Sequence, residues 1–344
     1  MKRVIIGMSG GVDSAVAAFL LQLQGFDIVG FFLHLNDGDH PRSCCSLDAS
    51  YRARRTADSL GIPFYVFNAK DRFAEQVISF FKRGYESGLT PNPCIECNRA
   101  IKFRILLEQA LTLDADFVAM GHYARVVHDD SSGEWLLLRG IEDRKDQSYF
   151  LYGLEKEWLP RLLFPVGGMT KTEVTKIATD NHLIATATVE SMDLCFFQGQ
   201  WSKFFGERDG SIVDESGRTL GAHRGAFYFT VGQRKGIGVV SDQPLYVKQV
   251  DAATNQVVLA PRDHLFAHEL KVGRTNWLTN GFKNIRCAVK HRSGAPAVPA
   301  DVHRNSEHEA TVRFDTPVWA PAPGQAAVFY TGDRLLGGGT IQPV

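Results

Sequence analysis

Residues Gly7–Ser14 read GMSGGVDS, between the apolar run Val4–Ile6 and a pattern in which Val16, Phe19, Leu20 and Leu23 fall at i, i+3, i+4 and i+7. The first is a short buried strand and the second one apolar face of a helix. A strand–glycine turn–helix unit in a parallel sheet aims backbone N–H groups at one spot, and the helix N-terminus adds partial positive charge there. That is an anion site, most often for phosphate. The glycines let the backbone approach closely, with no Cβ in the way. The Walker pattern is absent, because Asp13 stands where its lysine would be, and so is G-x-G-x-x-G. The plain structural alternative is a tight turn with Ser9 or Ser14 capping the helix. S-G-G-V-D-S directly after the first strand favours the phosphate reading. A bare carboxylate repels phosphate oxygens, so Asp13 is expected to work through Mg²⁺ or through backbone N–H groups.

Outward from this turn, strand and helix alternate. The helix after the loop closes at Gly25, and Asp27–Leu35 is a second strand. Ser46–Gly61 reads as a helix with a serine cap and a terminal glycine. PFYVFNA is a third strand, NRAIKFRILLEQAL a helix, and Ala115–His122 a fourth strand. Near-continuous apolar strands alternating with helices predict an α/β fold with a doubly wound parallel sheet. Beyond about residue 205 the texture changes to short strands between DESGR, GQRKGIG, DAATNQ and APGQ. Lys290–Glu309 reads as a polar, proline-bearing loop region. The expected partition is a nucleotide-type α/β domain over 1–204, a small central β domain over 205–269 and a C-terminal β-barrel or sandwich over 270–344.

Composition sets bounds on partners. The 344 residues are 44% hydrophobic and 22% charged, an ordinary globular balance able to bury a core. No apolar run approaches the ~18–20 residues of a membrane span, and the N-terminus runs straight into a glycine turn, unlike a secretory signal. A cytoplasmic protein with no membrane partner is expected. The 38 basic and 38 acidic residues cancel, so a nucleic acid would have to be met by a local basic surface.

Six cysteines, at 44, 45, 94, 97, 195 and 287, are too sparse for a disulfide framework. In a cytosolic chain such residues more often bind metal or do chemistry. Thr90–Phe103, TPNPCIECNRAIKF, has two prolines holding an extended loop and then a helix expected near Asn98. Cys97 then lies at or just before a helix N-terminus, where the dipole favours thiolate. Cys195 lies in another loop, SMDLCFF. Half a zinc site, a redox pair and buried small hydrophobes are the competing readings of Cys94 and Cys97. No second C-x-x-C completes the first, no thioredoxin-like strand order surrounds the second, and prolines and charges oppose the third.

SGGVDS resembles the pyrophosphate-loop signature of ATP-dependent adenylating enzymes, which cleave ATP between the α and β phosphates. Together with CCSLDASYRARRTADSLGIPFY, TPNPCxxCNRxIKF, GHYAR, KDQSYFL, DLCFF, FTVGQRKGIG, PLYV and the tail FDTPVWAPAPGQAAVFYTGDRLLGGGTI, it resembles the tRNA-specific 2-thiouridylases over nearly the whole chain. The resemblance implies a pyrophosphate-loop ATP domain followed by a central β domain and a C-terminal β-barrel. It implies ATP-dependent replacement of the C2 oxygen of the wobble uridine (position 34) of tRNA by sulfur, a tRNA-uridine 2-sulfurtransferase activity. The oxygen is adenylated, AMP and pyrophosphate depart, and sulfur comes from a persulfide-donor protein by way of a cysteine persulfide. By motif position Cys97 matches the nucleophile and Cys195 the persulfide carrier, which join in a transient disulfide. Gly7, Met8, Ser9, Gly10, Gly11, Val12, Asp13 and Ser14 match the ATP loop, with Leu35 and Gly121 as adenine contacts after the second and fourth strands. Asn92, Pro93 and Cys94 match the target-base contacts, with His122, Lys145, Asp146, Gln147 and Gln325 as further tRNA contacts. Many relatives carry an arginine–tyrosine pair where this chain has Arg292 and Ser293; Arg292 is the expected substitute, and Ser293 has no ring to stack on a base. Cys94 replaces an aspartate of some relatives, and Cys44 and Cys45 have no assigned role. Two other readings remain open: an iron–sulfur cluster on Cys94, Cys97 and Cys195, and a synthetase or amidotransferase acting on a small metabolite.

Overall fold

The structure, a computed structural model, describes residues 1–37, 47–183, 194–197, 199, 201–279 and 281–343. Cys44, Cys45 and the serine cap expected at Ser46 lie outside the described residues. The chain forms two compact units, one of Met1–Ile78, Pro93–Gln198 and Asp333–Leu336, the other of Ser79–Asn92, Gly199–Gly332 and Gly337–Val344.

The first unit is built on β1 (Arg3–Gly7), β2 (Asp27–His34), β3 (Phe64–Asn68), β4 (Phe117–Met120) and, past the hairpin of β5 (Ala124–Asp129) and β6 (Glu134–Arg139), the short β7 (Leu162–Leu163). Its parallel sheet has the order β3-β2-β1-β4-β7. Val4, Ile5 and Ile6 are fully buried, as a strand covered on both faces requires. Val4 and Ile6 pack with α1 (Val12–Leu23), α2 (Leu47–Leu60) and the helix Lys171–Asp180. Alternation turns Ile5 to the opposite face, where the helix Arg104–Thr112 lies against β1 and β4.

The face that α1 buries differs from the expected one. Val12, Ala15, Val16, Ala17, Ala18 and Leu21 are buried, Phe19 and Leu20 are half-buried, and Leu23 is 69% exposed. α1 is pressed between the sheet and the helix Lys171–Asp180, and its alanines allow that close approach. Its C-terminus is a Schellman motif. Phe26 N–H donates to Leu21 O and Gly25 N–H to Gln22 O, with Gly25 at φ +80°.

The helix expected near Asn98 begins at Pro93, which is favoured at a first helical position because it has no N–H to leave unpaired. It passes through a π-helical stretch, Cys97–Phe103, before the α-helix Arg104–Thr112. Cys97 is therefore about one turn inside a helix, where the effect of the terminal dipole is already falling off.

In the second unit β8 (Gly210–Asp214), β9 (Thr219–His223), β10 (Leu245–Asp251) and β11 (Gln256–Pro261) form a sheet of order β10-β11-β8-β9 over a core of Ile212, Val247, Val257 and Leu259. β12 (Phe266–Trp277), β13 (Asn284–Lys290), β14 (Val298–Arg304), β15 (Glu309–Trp319), β16 (Ala326–Thr331) and β17 (Arg334–Ile341) follow in the order β12-β15-β14-β13-β16-β17. Pairing of β12 with β17 closes a six-stranded barrel. The region read as a loop over 290–309 contains β14, because Ala300 and Val302 alternate inward between exposed neighbours. Thr90 N–H donates to Pro323 O and Gln325 Nε2 to Thr90 O, so the start of the TPNPC segment is fastened to the turn before β16.

Candidate active site

Strand order reverses between β1 and β4, and open α/β sheets bind ligands at the carboxyl ends of the strands flanking such a reversal. β1 ends at Gly7 and β4 at Met120, so the GMSGGVDS loop and Gly121–His122 meet at that point. The approach is close: a Cβ on Gly121 would lie 2.7 Å from Ser14 N and 2.8 Å from Asp13 C. Gly10 has φ +74°, and a Cβ there would lie 2.2 Å from Ala49 O at the start of α2. Arg52 of α2 donates from Nε to Gly10 O at 3.2 Å.

Neither serine caps α1. Ser14 Oγ donates to Gly11 O and accepts from Ser9 N–H, which braces the loop internally, while the N-cap residue is Gly11 with no side-chain cap. The first turn of α1 thus has no side-chain cap on its amides, which are the donor type that phosphates take. At Gly11 a Cβ would meet nothing nearer than Ser9 Oγ at 3.4 Å, so the glycine there is not demanded by internal packing.

Asp13 departs from its expected partners. Its Oδ1 accepts from Tyr123 Oη at 2.8 Å and from Lys171 Nζ at 2.7 Å. Among the described residues, no group of three or more His, Cys, Asp or Glu side chains is arranged to hold a metal ion. One carboxylate with an oxygen already engaged by a cation does not fit a protein-built magnesium site. Cys94, Cys97 and Cys195 likewise do not form such a group, so the geometry lends the iron–sulfur reading no support.

The sulfur residues lie over the neighbouring strands. Leu35 follows β2 and Ala69 follows β3; both pack in one buried cluster with Cys97, Phe73, Val77, Ile101 and Ile105. Cys195 and Phe196 pack against this same cluster, with the Phe196 ring edge-on to Phe73 at 5.6 Å. Cys97 is 6% exposed, Cys195 half-buried and Cys94 exposed. The site therefore has a phosphate-type loop at β1/β4 and a two-cysteine apolar cluster at β2/β3, all within the first unit.

The other expected residues are placed unevenly. His122 lies between the rings of Phe103 and Phe164, with Nδ1 buried and unpartnered. Burial, with Lys102 nearby, lowers its pKa to about 3, so the ring is neutral. Asp146 accepts from Gly140 N, Ser148 N, Ser148 Oγ and Arg139 Nε, and its side chain is only 1% exposed. It shapes its loop and presents no carboxylate to a ligand. Gln147 Oε1 accepts from Tyr123 N–H, and Lys145 is half-buried. Asn98 donates to Phe150 O, which ties the Cys97 helix to this KDQSYF segment. In the second unit Asn92 is half-buried, and Arg292 Nη2 donates to Ala320 O while Gln325 holds Thr90 O. Pro93 is buried at the start of the Cys97 helix.

Sequence reading missed Tyr123, Arg52 and Lys171, the residues that partner the loop. One signal was available for Lys171. Thr170 and Glu173 spell a capping box, which puts a lysine at the first helical position, where the dipole disfavours a cation.

Comparison with known proteins agrees along the whole chain. Residues 2–199 match the family model described as tRNA methyl transferase HUP domain, 201–261 the tRNA methyl transferase PRC-barrel domain, and 267–341 the aminomethyltransferase beta-barrel domain. The chain is 43% identical to the tRNA-specific 2-thiouridylase MnmA of Carboxydothermus hydrogenoformans, over 99% of this chain and 98% of that protein. It is 42% identical to that of Geotalea uraniireducens over 99% and 95%, and 41% identical to that of a Synechococcus strain over 100% and 98%. With a pyrophosphate-type loop at the sheet's switch point, two cysteines on one apolar cluster and relatives matched end to end, this chain belongs to the tRNA-specific 2-thiouridylase family.

Proposed function

We propose that this chain is an ATP-dependent tRNA-uridine 2-sulfurtransferase acting on the wobble uridine of tRNA in the cytoplasm. The observation that carries the reading is the packing of Cys195 against the cluster that buries Cys97, at the carboxyl ends of β2 and β3 beside the β1/β4 ends that carry the phosphate-type loop.

A uracil carbonyl oxygen is a poor leaving group. Attack of that oxygen on the α-phosphate of ATP expels pyrophosphate and turns the oxygen into part of an AMP leaving group. The loop's amides and the α1 N-terminus receive the phosphates. A persulfide on Cys195, loaded by a donor protein, supplies sulfur at the oxidation level of S⁰. Either its outer sulfur attacks C2 and the Cys97 thiolate then attacks Cys195 Sγ, or Cys97 attacks first and releases hydrosulfide to C2. In both routes AMP leaves, C2 becomes a thiocarbonyl and a Cys97–Cys195 disulfide remains, which an external thiol reductant resets. Asn92, Pro93 and Cys94, beside the start of the Cys97 helix, are proposed to face the target base, with neutral His122 and Lys145 as nearby tRNA contacts. Asp146, Gln147, Arg292 and Gln325 hold local backbone or loop structure, so their proposed part in tRNA binding is to shape the surface.

The test is reconstitution: purified chain, ATP, unmodified tRNA and a persulfide donor, with nucleosides analysed by mass spectrometry. The proposal expects 2-thiouridine at position 34, with AMP and pyrophosphate formed in step. Thiolation without ATP, or AMP release with no modified nucleoside, contradicts it.

A further inference from the structure

The loop raises a physical problem that its partners answer. It carries an aspartate where pyrophosphate would add further negative charge, and within Gly7–Ser14 there is no cation to offset it. Besides Arg52, whose Nε donates to Gly10 O, a cation comes from far along the chain. Lys171 Nζ lies 2.7 Å from Asp13 Oδ1, across 158 positions, and the two side chains are 23% and 30% exposed. The pair is thus at the edge of the site, neither sunk in the core nor out in solvent.

Lys171 is held there at both ends. Its backbone N–H donates to Glu142 Oε2 at 2.6 Å, and its ammonium lies 6.0 Å from the Tyr123 ring centre, whose hydroxyl holds the same Asp13 oxygen. As the first residue of the helix Lys171–Asp180 it sits at the positive end of that helix, where the dipole disfavours a cation. Thr170 and Glu173 already cap this terminus, so the lysine contributes nothing to capping. An unfavourable position, fixed from three directions beside a phosphate-type loop, calls for an anion. An ammonium with three donors can serve Asp13 and a phosphate oxygen together.

We infer that Lys171 binds the pyrophosphate end of ATP in this active site, and that Asp13 is the residue that positions it and not a magnesium ligand. This rests on the reading of the loop as an ATP site. As the bond between the α-phosphorus and the bridging oxygen breaks, charge grows on departing pyrophosphate, and a fixed ammonium stabilises that charge without reorganisation. The role that other phosphate loops give to an internal lysine is here supplied from the start of a distant helix.

Isothermal titration of the full chain tests this with three probes: inorganic pyrophosphate, ATP and AMP, each with Mg²⁺ and with chelator. Lys171→Met should weaken pyrophosphate binding by about tenfold or more, the scale of one lost charge-assisted contact, and leave AMP binding within about twofold. Lys171→Arg should retain most of the affinity. Asp13→Asn should weaken pyrophosphate binding with unchanged Mg²⁺ dependence, and should add nothing in the Lys171→Met background, because both act through one contact. Wild-type pyrophosphate affinity in a folded Lys171→Met or Lys171→Gln protein overturns the inference, as does loss of the Mg²⁺-dependent component in Asp13→Asn. A wild-type chain that binds neither ATP nor AMP overturns instead the ATP-site reading on which the inference stands.

Discussion

The Tyr123 hydroxyl donates a 2.8 Å hydrogen bond to Asp13 Oδ1 across 110 positions of sequence, tying the segment after β4 to the loop after β1. Hydrogen bonds to charged groups contribute about 1.5–3 kcal/mol, and Asp13 keeps Lys171 when the hydroxyl is removed, so the low end applies. Tyr123→Phe should therefore lower stability by about 1.5 kcal/mol and, with the loop less well ordered, weaken ATP binding by up to about tenfold. Unchanged affinity by calorimetry would show that the bond does not order the loop for ATP.

Two adjacent glycines should fail in different ways. A Cβ on Gly10 would lie 2.2 Å from Ala49 O in a backbone already at φ +74°, so Gly10→Ala should cost about 1–3 kcal/mol of stability and lower the melting temperature. Gly11, with φ −97° and only Ser9 Oγ at 3.4 Å, has room within the protein itself. Gly11→Ala should melt like the wild type yet bind ATP poorly, because the added methyl occupies the space a phosphate needs. If Gly11→Ala binds ATP normally, the phosphates do not approach that backbone.

His122 should behave as a neutral group throughout physiological pH. Burial, then Lys102, lowers its pKa from 6.5 to about 3 in the folded chain. The unfolded chain therefore binds the extra proton first as pH falls. The stabilisation is complete above 6.5 and is lost progressively as pH drops from there toward about 3. The His122 ring resonances should not titrate between about pH 5 and 8 in NMR spectra, and a midpoint near 6.5 would contradict the buried placement.

Much of this was legible locally. The apolar strands, the glycine turn and the Schellman glycine Gly25 each depend on neighbours within a few residues, so sequence pattern reports them. The hidden part depends on distant partners. Nothing near Asp13 announces Lys171, and nothing in Val16, Phe19, Leu20 and Leu23 says that a second helix will press α1 onto its alanine side. The helix start at Pro93 was obscured because proline reads both as an extended-loop residue and as a first helical residue. Asp146 looked available for RNA because four converging donors cannot be foreseen from KDQSYF.

The cysteines should separate by reactivity. Cys94 is exposed, whereas Cys287 sits inside the barrel wall on β13, where burial pushes its thiol up to about 12. Iodoacetamide at about pH 8 should label Cys94 quickly and leave Cys287 unlabelled until unfolding, because the thiolate is the reacting form. Fast labelling of Cys287 in the native chain, read by peptide mass mapping, would contradict its burial.

The most direct test of the sulfur chemistry is a single turnover with ³⁵S-labelled persulfide donor, followed by non-reducing peptide mapping. Cys97 belongs to a cluster against which Cys195 packs; a disulfide between them needs Cα atoms within roughly 7 Å. The expected result is label on Cys195 before tRNA and ATP are added, then label on tRNA together with a Cys97–Cys195 disulfide. Cys97→Ser should load label and stop, while Cys195→Ser should not load. A disulfide mapping to Cys94–Cys97, or thiolated tRNA from the Cys195→Ser protein, would contradict the account.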